Sequence, residues 1–307
     1  MKVLFVSSGN SKNGISSIVY EQGESLKLLG YEIDYFLVKG KGIKGYLSNL
    51  FLLRNTYKLG NYDIVHAHNI FCGFLCGIAL LKPLVVSLMG WNVQKYYLKI
   101  LIYIFNLIFW DYCIVKSQSM QLALKKIKVE VIPNGVDINF FKPMNKKKAQ
   151  EYLNWDLEKK HFLFAADPKI PIKNYSLCKQ AFDILHNDKY VLHTLGDVKR
   201  ENMPYYYNAS DVVIFTSKGE GSPNVIKEAM ACNCKIVSVR VGDVPERFAD
   251  VQGCFLCKYQ VEDVAFKIIE ALKFPNEKVT SREKILSLNS SLIADRLSQV
   301  YHSVVLK

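Results

Sequence analysis

The sequence predicts an α/β protein built as two successive doubly wound parallel-sheet lobes facing each other across a cleft. Three observations carry that expectation. Short apolar runs alternate with amphipathic stretches along nearly the whole chain, as when buried strands are separated by helices that cover both faces of a sheet. The runs are too numerous for one small sheet. The length of 307 residues also exceeds what a single hydrophobic core usually fills.

Taken in order, KVLFV (2–6) reads as the first strand, followed by a Gly/Ser/Asn loop and a helix over about 15–29 that Gly30 stops. EIDYFLV (32–38) is the next strand, and DIVHAH (63–68), LVVSLM (84–89), YCIVKS (112–117) and VEVIPN (129–134) continue the series. The apolar region 69–94 is interrupted by Lys82-Pro83 and by Gly73, Gly77 and Gly90, so it reads as a helix, a turn and a buried strand. After the turn at 133–137 come the basic polar residues of 142–148, where a lobe boundary is expected. HFLFAA (161–166), YVLHTLG (190–196), VVIFTS (212–217) and KIVSVR (235–240) are the strands of the second half. A last helical pattern covers about 283–304. The expected organisation is therefore a first lobe over 1–140, a second over 141–282, and a C-terminal helix in 283–307 that packs back on the first lobe.

Composition narrows the function. Half the residues are hydrophobic and 22% are charged, so there is ample core material and global disorder is excluded. Lys plus Arg number 40 against 28 Asp plus Glu, a formal charge of +12, which points to an anionic partner. No basic reading helix or aromatic stacking sheet emerges, so nucleic acid is not the expected one. Nothing like a signal peptide opens the chain, and no apolar stretch reaches the ~20 residues that a spanning helix needs. A cytoplasmic location is expected, with peripheral contact at the inner face of the cytoplasmic membrane as an extension. The eight scattered cysteines read as reduced, buried residues, and the single Cys254-x-x-Cys257 lacks a second pair for zinc.

Parallel sheets bind ligands at the C-terminal ends of their strands, so the chemistry belongs on the loops that follow them. In the first loop, Gly9 and Gly14 have the spacing of a phosphate cradle, but Ile15 stands where an NTPase needs lysine. What remains is a loop feeding a helix N-terminus, whose backbone N–H groups favour an anion. His66 and His68 point to the same face of one strand. Further ligands for a metal pair are not evident, and His68, nearer the strand end, is the residue expected at the cleft.

The most informative segment is 216–231, TSKGEGSPNVIKEAMA. A strand enters a Gly-containing loop, and Pro223 suits a helix first turn. Ser222 and Asn224 are placed to cap that turn or donate to a bound group, and its backbone N–H groups would favour a diphosphate. Glu220 lies in the loop and Glu228 eight positions later on the helix. Two carboxylates beside an anion site repel it unless they hold hydroxyls, and sugar and ribose hydroxyls are natural partners for them.

Here the chain resembles glycosyltransferase family 4, the retaining nucleotide-sugar enzymes of the two-lobed GT-B fold. Glu220 and Glu228 reproduce that family's E-x7-E element. IPNGVD (132–137) followed by FFKP (140–143) looks like its interdomain segment, and DIVHAHN (63–69), VVSLMGWNV (85–93), YYNASDVVIFTS (206–217) and VGDVPE (241–246) match other blocks. The resemblance implies that Glu228 binds the ribose hydroxyls of the nucleotide and Glu220 those of the donor sugar. It implies that backbone amides of Gly221, Ser222, Pro223, Asn224 and Val225 (proline excepted as a donor) surround the sugar and diphosphate. Lys173, within 169–174 (KIPIKN), matches the family's phosphate-binding lysine, and a fixed cation there would stabilise the departing diphosphate. The loop at Gly14 would close over the same diphosphate. Neither metal nor cofactor is implied, and no DxD lies between the lobes.

Some positions depart from the family. Ala166-Asp167-Pro168 occupies the region of its usual arginine, leaving Lys169 as the replacement cation. The block often written His-Gly-x-Asp reads Met89-Gly90-Trp91-Asn92, so Gly90, Trp91 and Asn92 are carried as the acceptor or sugar side with Met89 in place of the histidine. Cys232-Asn233-Cys234 replaces a turn that commonly holds Gly and Pro.

For the acceptor, 39–62 carries Lys39, Lys41, Lys44, Arg54 and Lys58 with no acid, interleaved with Tyr46, Leu47, Leu50, Phe51, Leu52 and Leu53. This reads either as a basic amphipathic face for an anionic membrane surface or as a core helix with a solvated loop. The uncharged 100–110 is expected to pack in the core. The expected function is a retaining, metal-independent transfer from a nucleoside-diphosphate sugar, with UDP as the expected carrier, to a glycan or lipid-linked glycan in cell-surface polysaccharide assembly. The rivals are a nucleotide-sugar epimerase of the same fold and a degenerate glycan-binding relative.

Overall fold

The computed structural model describes residues 1–10, 14–90, 93, 95–196 and 198–306. The chain forms two compact units, one of Met1–Gly135 with Ser290–Lys307 and the other Val136–Asn289. These breaks lie a few residues from the positions 140 and 282 read from the sequence.

The first unit holds six parallel strands, β1 (Lys2–Ser8), β2 (Glu32–Val38), β3 (Ile64–His68), β4 (Leu84–Leu88), β5 (Tyr112–Val115) and β6 (Glu130–Val131), in the order β2-β1-β3-β4-β5-β6. Every strand expected in this half is present. β1 has five consecutive buried residues, as a central strand covered on both faces must. It pairs with β2 from Lys2↔Glu32 to Ser8↔Val38 and with β3 from Val3↔Ile64 to Ser7↔His68. The chain runs out to β2 and returns to β3, so the strand order reverses at β1, where doubly wound sheets open a crevice.

One face of this sheet, with Leu4, Val6, Val65, Ala67 and Val86, packs against Leu53, Leu75, Cys76, Leu98 and Ile102 from the helices Leu50–Gly60, Ile70–Ile78 and Tyr96–Ile108. The middle helix lies close to the sheet: a Cβ at Gly73 would come 2.7 Å from Val86 Cγ1, and Trp110 Nε1 donates to the Gly73 carbonyl at 3.1 Å. On the opposite face lie the helices Ser17–Lys27 and Ser290–Val305, which pack on one another. The C-terminal helix begins at Ser290, where a continuous pattern from 283 was expected. A short helix, Ser281–Ile285, and a 3-10 turn, Leu286–Leu288, come first, and extended Asn289 separates them from it. Tyr301 ties that helix to the sheet, its hydroxyl 2.6 Å from His66 Nδ1, while His66 Nε2 lies 2.9 Å from Ser87 Oγ.

The structure corrects the core reading of 100–110. In the helix Tyr96–Ile108 only Leu98 and Ile102 are buried, with Trp110 just beyond its end. Two core positions one turn apart make a narrow inward stripe, and Ile100, Leu101, Ile104, Leu107 and Ile108 are exposed.

The second unit is a five-stranded parallel sheet of β7 (Lys160–Phe164), β8 (Tyr190–Thr194), β9 (Val212–Phe215), β10 (Ile236–Val239) and β11 (Cys254–Cys257), ordered β11-β10-β9-β7-β8. β11 has no counterpart among the expected strands. Its four residues, CFLC, are too few to show a period, and their meaning comes from pairing Ile236↔Cys254 to Val239↔Cys257. The Cys254-x-x-Cys257 spacing is thus an edge strand. All eight cysteines are free thiols.

Candidate donor site in the second unit and a pocket in the first

β9 ends at Phe215, and Thr216 and Ser217, both buried, turn the chain towards 218–223. This turn is stitched to 171–174, which follows β7. Thr216 Oγ1 donates to the Asn174 carbonyl at 3.0 Å, Ser217 Oγ to the Ile172 carbonyl at 3.2 Å, and the Lys218 N–H to the same carbonyl at 2.8 Å. The 3-10 turn Pro171–Lys173 ends in Asn174, held at φ 57°. The stitching brings Lys173 Nζ to 2.6 Å from Glu220 Oε1, an oxygen that also accepts from Ser217 Oγ at 2.8 Å. The sequence assigns these two residues separate partners, and the fold makes them an ion pair. The side chains keep 24% and 16% exposure, so the pair is partly solvated and open to exchange partners. Lys173 Nζ also stands 5.6 Å from the centroid of the Phe215 ring.

Pro223 is the N-cap of the helix Asn224–Ala231, so the helix starts one residue later than a first-turn proline implies, and no side chain caps it. Ser222 neither caps the helix nor is free to donate to a bound group, the two roles read in the sequence. Its hydroxyl donates to Asp243 Oδ2 at 2.7 Å and accepts from Lys227 Nζ. Lys227 is fully buried, 3.9 Å from the same carboxylate oxygen, and Arg247 Nε approaches that oxygen to 3.5 Å. Burial pulls the Lys227 ammonium down to about 8, although Asp243 opposes the shift. Behind the loop, a Cβ at Gly242 (φ 55°) would stand 2.7 Å from the Gly221 carbonyl oxygen. The segment around Gly221 is therefore held by Lys173 and Ser217 through Glu220, and by Lys227 and Asp243 through Ser222.

Glu228 is buried, and its Oε2 accepts a 2.7 Å hydrogen bond from Tyr207, itself completely buried. Burial, then the neighbouring Glu228 charge, raises the Tyr207 hydroxyl well above the ordinary tyrosine range, so it stays a donor. Val225 is half-buried and Asn224 keeps Oδ1 buried with no hydrogen-bond partner among the described residues. Lys169 is exposed, with its backbone N–H on Asp167 Oδ1 at 2.8 Å.

In the first unit, Gly14 sits at φ 75° just before Ser16, which caps the helix Ser17–Lys27 by accepting from the Val19 N–H. His66 is the satisfied core histidine expected. His68 differs from expectation: it is 1% exposed, its ring centroid lies 4.4 Å from that of Phe5, and neither ring nitrogen has a hydrogen-bond partner among the described residues. Burial, then the charge of Lys116, holds it well below the usual histidine range, so it is a neutral imidazole inside the sheet face. Gly90 and Met89 instead line a pocket of about 270 Å3 with Ser8, Tyr46, Asn69 and Phe71 at the C-terminal ends of β1, β3 and β4. Trp91 and Asn92 lie outside the described residues. Burial raises the Tyr46 hydroxyl, while hydrogen bonds with Ser8 and Asn69 pull the other way.

Sequence reasoning did not single out Lys227, Asp243 and Tyr207, which hold the Ser222 loop and Glu228 in place. Lys227 alone left a sign: a lysine between Ile226 and Glu228 in a helix otherwise reading as buried.

Two family models match the chain, one in each half. Residues 20–140 match Glycosyltransferase Family 4, and residues 159–273 match Glycosyl transferases group 1. Among solved structures the fold resembles a sucrose-phosphate synthase from Thermosynechococcus elongatus at TM-score 0.79 and 16% identity, covering 99% of both chains. It also resembles Anabaena HepE in complex with UDP and glucose at TM-score 0.75 and 17% identity, over 99% of this chain and 100% of that one. A Klebsiella pneumoniae protein described as an uncharacterized 41.2 kDa protein in cps region is 21% identical over 94% of this chain and 92% of its own length. Two parallel-sheet, Rossmann-like lobes and these matches make the fold GT-B. With one half matching each model, the chain is a glycosyltransferase of the family 4-like type, and so an enzyme.

Proposed function

We propose that this glycosyltransferase moves a sugar from a UDP-sugar to a glycan or lipid-linked glycan with retention of anomeric configuration and without a metal, in cell-surface polysaccharide assembly. The observation that carries the reading is the Lys173–Glu220 pair beside the start of the helix Asn224–Ala231, with the Glu228 carboxylate fixed by Tyr207 further along it. Glu228 offers its outer oxygen to ribose hydroxyls, and Glu220 serves the hydroxyls of the sugar. Backbone N–H groups of Gly221, Ser222, Asn224 and Val225 receive the diphosphate and sugar, with Pro223 fixing the turn. An acceptor hydroxyl attacks the anomeric carbon on the face that the diphosphate leaves. The new C–O bond forms, the bond to the β-phosphate oxygen breaks, and the acceptor proton passes to the departing diphosphate. Lys173 exchanges Glu220 for that phosphate and stabilises its growing charge, which removes the need for a divalent cation. Lys169 is a further anion contact in this scheme, and the pocket at Gly90 belongs to the acceptor. HepE with UDP supports the carrier, and the cps-region relative supports the polysaccharide role.

The test is a pair of variants assayed by calorimetry with UDP and by transfer from a panel of UDP- and GDP-sugars. Glu228→Ala should weaken UDP binding by about tenfold or more, the loss of charge-assisted hydrogen bonds. Lys173→Ala should lower kcat by roughly 10²–10³ with a smaller change in UDP affinity. Unaltered kinetics in both would remove the site. Conversion of the donor to an isomeric nucleotide sugar without acceptor would replace transfer by epimerisation.

A further inference from the structure

The helices Leu50–Gly60, Ile70–Ile78 and Tyr96–Ile108 form one layer over the first unit's sheet, and the outer side of that layer is apolar where a solvated layer would be polar. On Tyr96–Ile108, Tyr96, Tyr97, Ile104, Leu107 and Ile108 are exposed, Leu107 at 86%. Phe51 (76%) and Leu59 (84%) are exposed on Leu50–Gly60. Most of the large apolar side chains that are more than half exposed in the described chain fall between 43 and 108. Those of the second unit are fewer and scattered, as on an ordinary surface.

The charge of the same stretch is equally one-sided. Residues 35–110 contain eight basic residues and one acid, Asp63. Lys39, Lys41, Lys44 and Lys58 are exposed. A two-fold dimer through this face would set like charge against like charge, because an isologous interface pairs the same patch with itself. An exposed apolar helix face in a stretch whose exposed charges, Asp63 apart, are lysines, with Tyr96 and Tyr97 at one end of the helix, suits a surface that offers hydrocarbon below and anions above.

We propose that the first unit docks on an anionic lipid bilayer through this layer, with the helix Tyr96–Ile108 lying in the interface as the inserted element and the lysines of 39–58 on the headgroups. The helix is about 20 Å long at 1.5 Å per residue, short of the ~30 Å hydrocarbon core, so it lies in the surface and does not span. No described helix is long and apolar enough to cross a membrane. This inference names the surface on which a lipid-linked acceptor would be met and rests on the proposed transfer only for that purpose.

The experiment is co-sedimentation of the full chain with vesicles of phosphatidylglycerol and phosphatidylethanolamine, and with vesicles of phosphatidylcholine alone. Binding to the anionic vesicles should exceed binding to phosphatidylcholine by tenfold or more and weaken in high salt. Ile104→Glu with Leu107→Glu, both on exposed positions, should lower anionic-vesicle binding at least tenfold with UDP binding unchanged. Lys41→Glu with Lys44→Glu should do the same through charge. Equal binding by these variants, no vesicle binding by the native chain, or a dimer in sedimentation velocity that Leu107→Glu dissociates would each overturn the proposal. UDP binding is read separately: its retention without vesicle binding sinks the surface alone, and vesicle binding without UDP binding sinks the donor reading alone.

Discussion

Replacing Lys227 by Met tests the buried network behind the donor loop by its proton linkage. Lys227 is wholly enclosed, with its ammonium on Ser222 Oγ and near Asp243, and burial pulls its pKa from the ordinary 10.5 to about 8. Below pH 8 the lysine is protonated in both folded and unfolded chains, so pH has no effect through it. Between about pH 8 and 10.5 the unfolded chain still holds the proton that the folded chain has released. Stability then rises with pH, because the unfolded state binds more protons. From pH 7 to pH 10 the two pKa values give about 2–3 kcal/mol of added stability from this one group. Lys227→Met keeps a straight side chain of similar length and removes the titration. Urea unfolding of both proteins at pH 7, 8, 9 and 10 supplies the measurement. Tyrosines and other lysines titrate alike in the two chains and cancel in the difference. The expected result is that the native chain gains about 2–3 kcal/mol on the variant between pH 7 and 10. A difference that stays constant across that range would mean that Lys227 does not titrate in the fold as its burial requires.

Two further substitutions probe the same neighbourhood. Gly242→Ala places a methyl 2.7 Å from the Gly221 carbonyl oxygen at a φ of 55°, and should cost about 1–3 kcal/mol in urea unfolding while raising the donor KM. A native-like KM would show that the Gly221 segment does not depend on this contact. Tyr207→Phe removes the 2.7 Å bond to Glu228 without changing the packing volume much, and should cost roughly 1.5–3 kcal/mol with weaker UDP binding. Native stability in that variant would show that Glu228 is held by other groups.

Much of the site could be read from the chain because its parts are local. Glu220, Gly221, Ser222, Pro223, Asn224, Val225 and Glu228 lie on one strand–loop–helix passage, and their order fixes that they share a loop and a helix start. Lys173 is 47 residues from Glu220, and only the stitching of Thr216, Ser217 and Lys218 onto Ile172 and Asn174 makes them neighbours. Ser222 illustrates the limit from the other side. Its position favours a cap, yet Lys227 and Asp243, the latter 21 residues away, claim its hydroxyl. His68 stands at a strand end as read, but strand position leaves open whether a side chain meets solvent or a neighbouring ring.

The sequence by itself determined the alternation of strands and helices, the two-lobed α/β class and the strand–loop–helix passage proposed to hold the donor. Each of these rests on periodicity and turn chemistry within a few residues. Tertiary structure alone decided which face of an apolar helix is inside. For 100–110 the residues are uniformly apolar, so no periodic contrast marks a buried side. The sheet takes Leu98 and Ile102, and Leu107 and Ile108 are left outside because one sheet face accepts only one stripe of a helix.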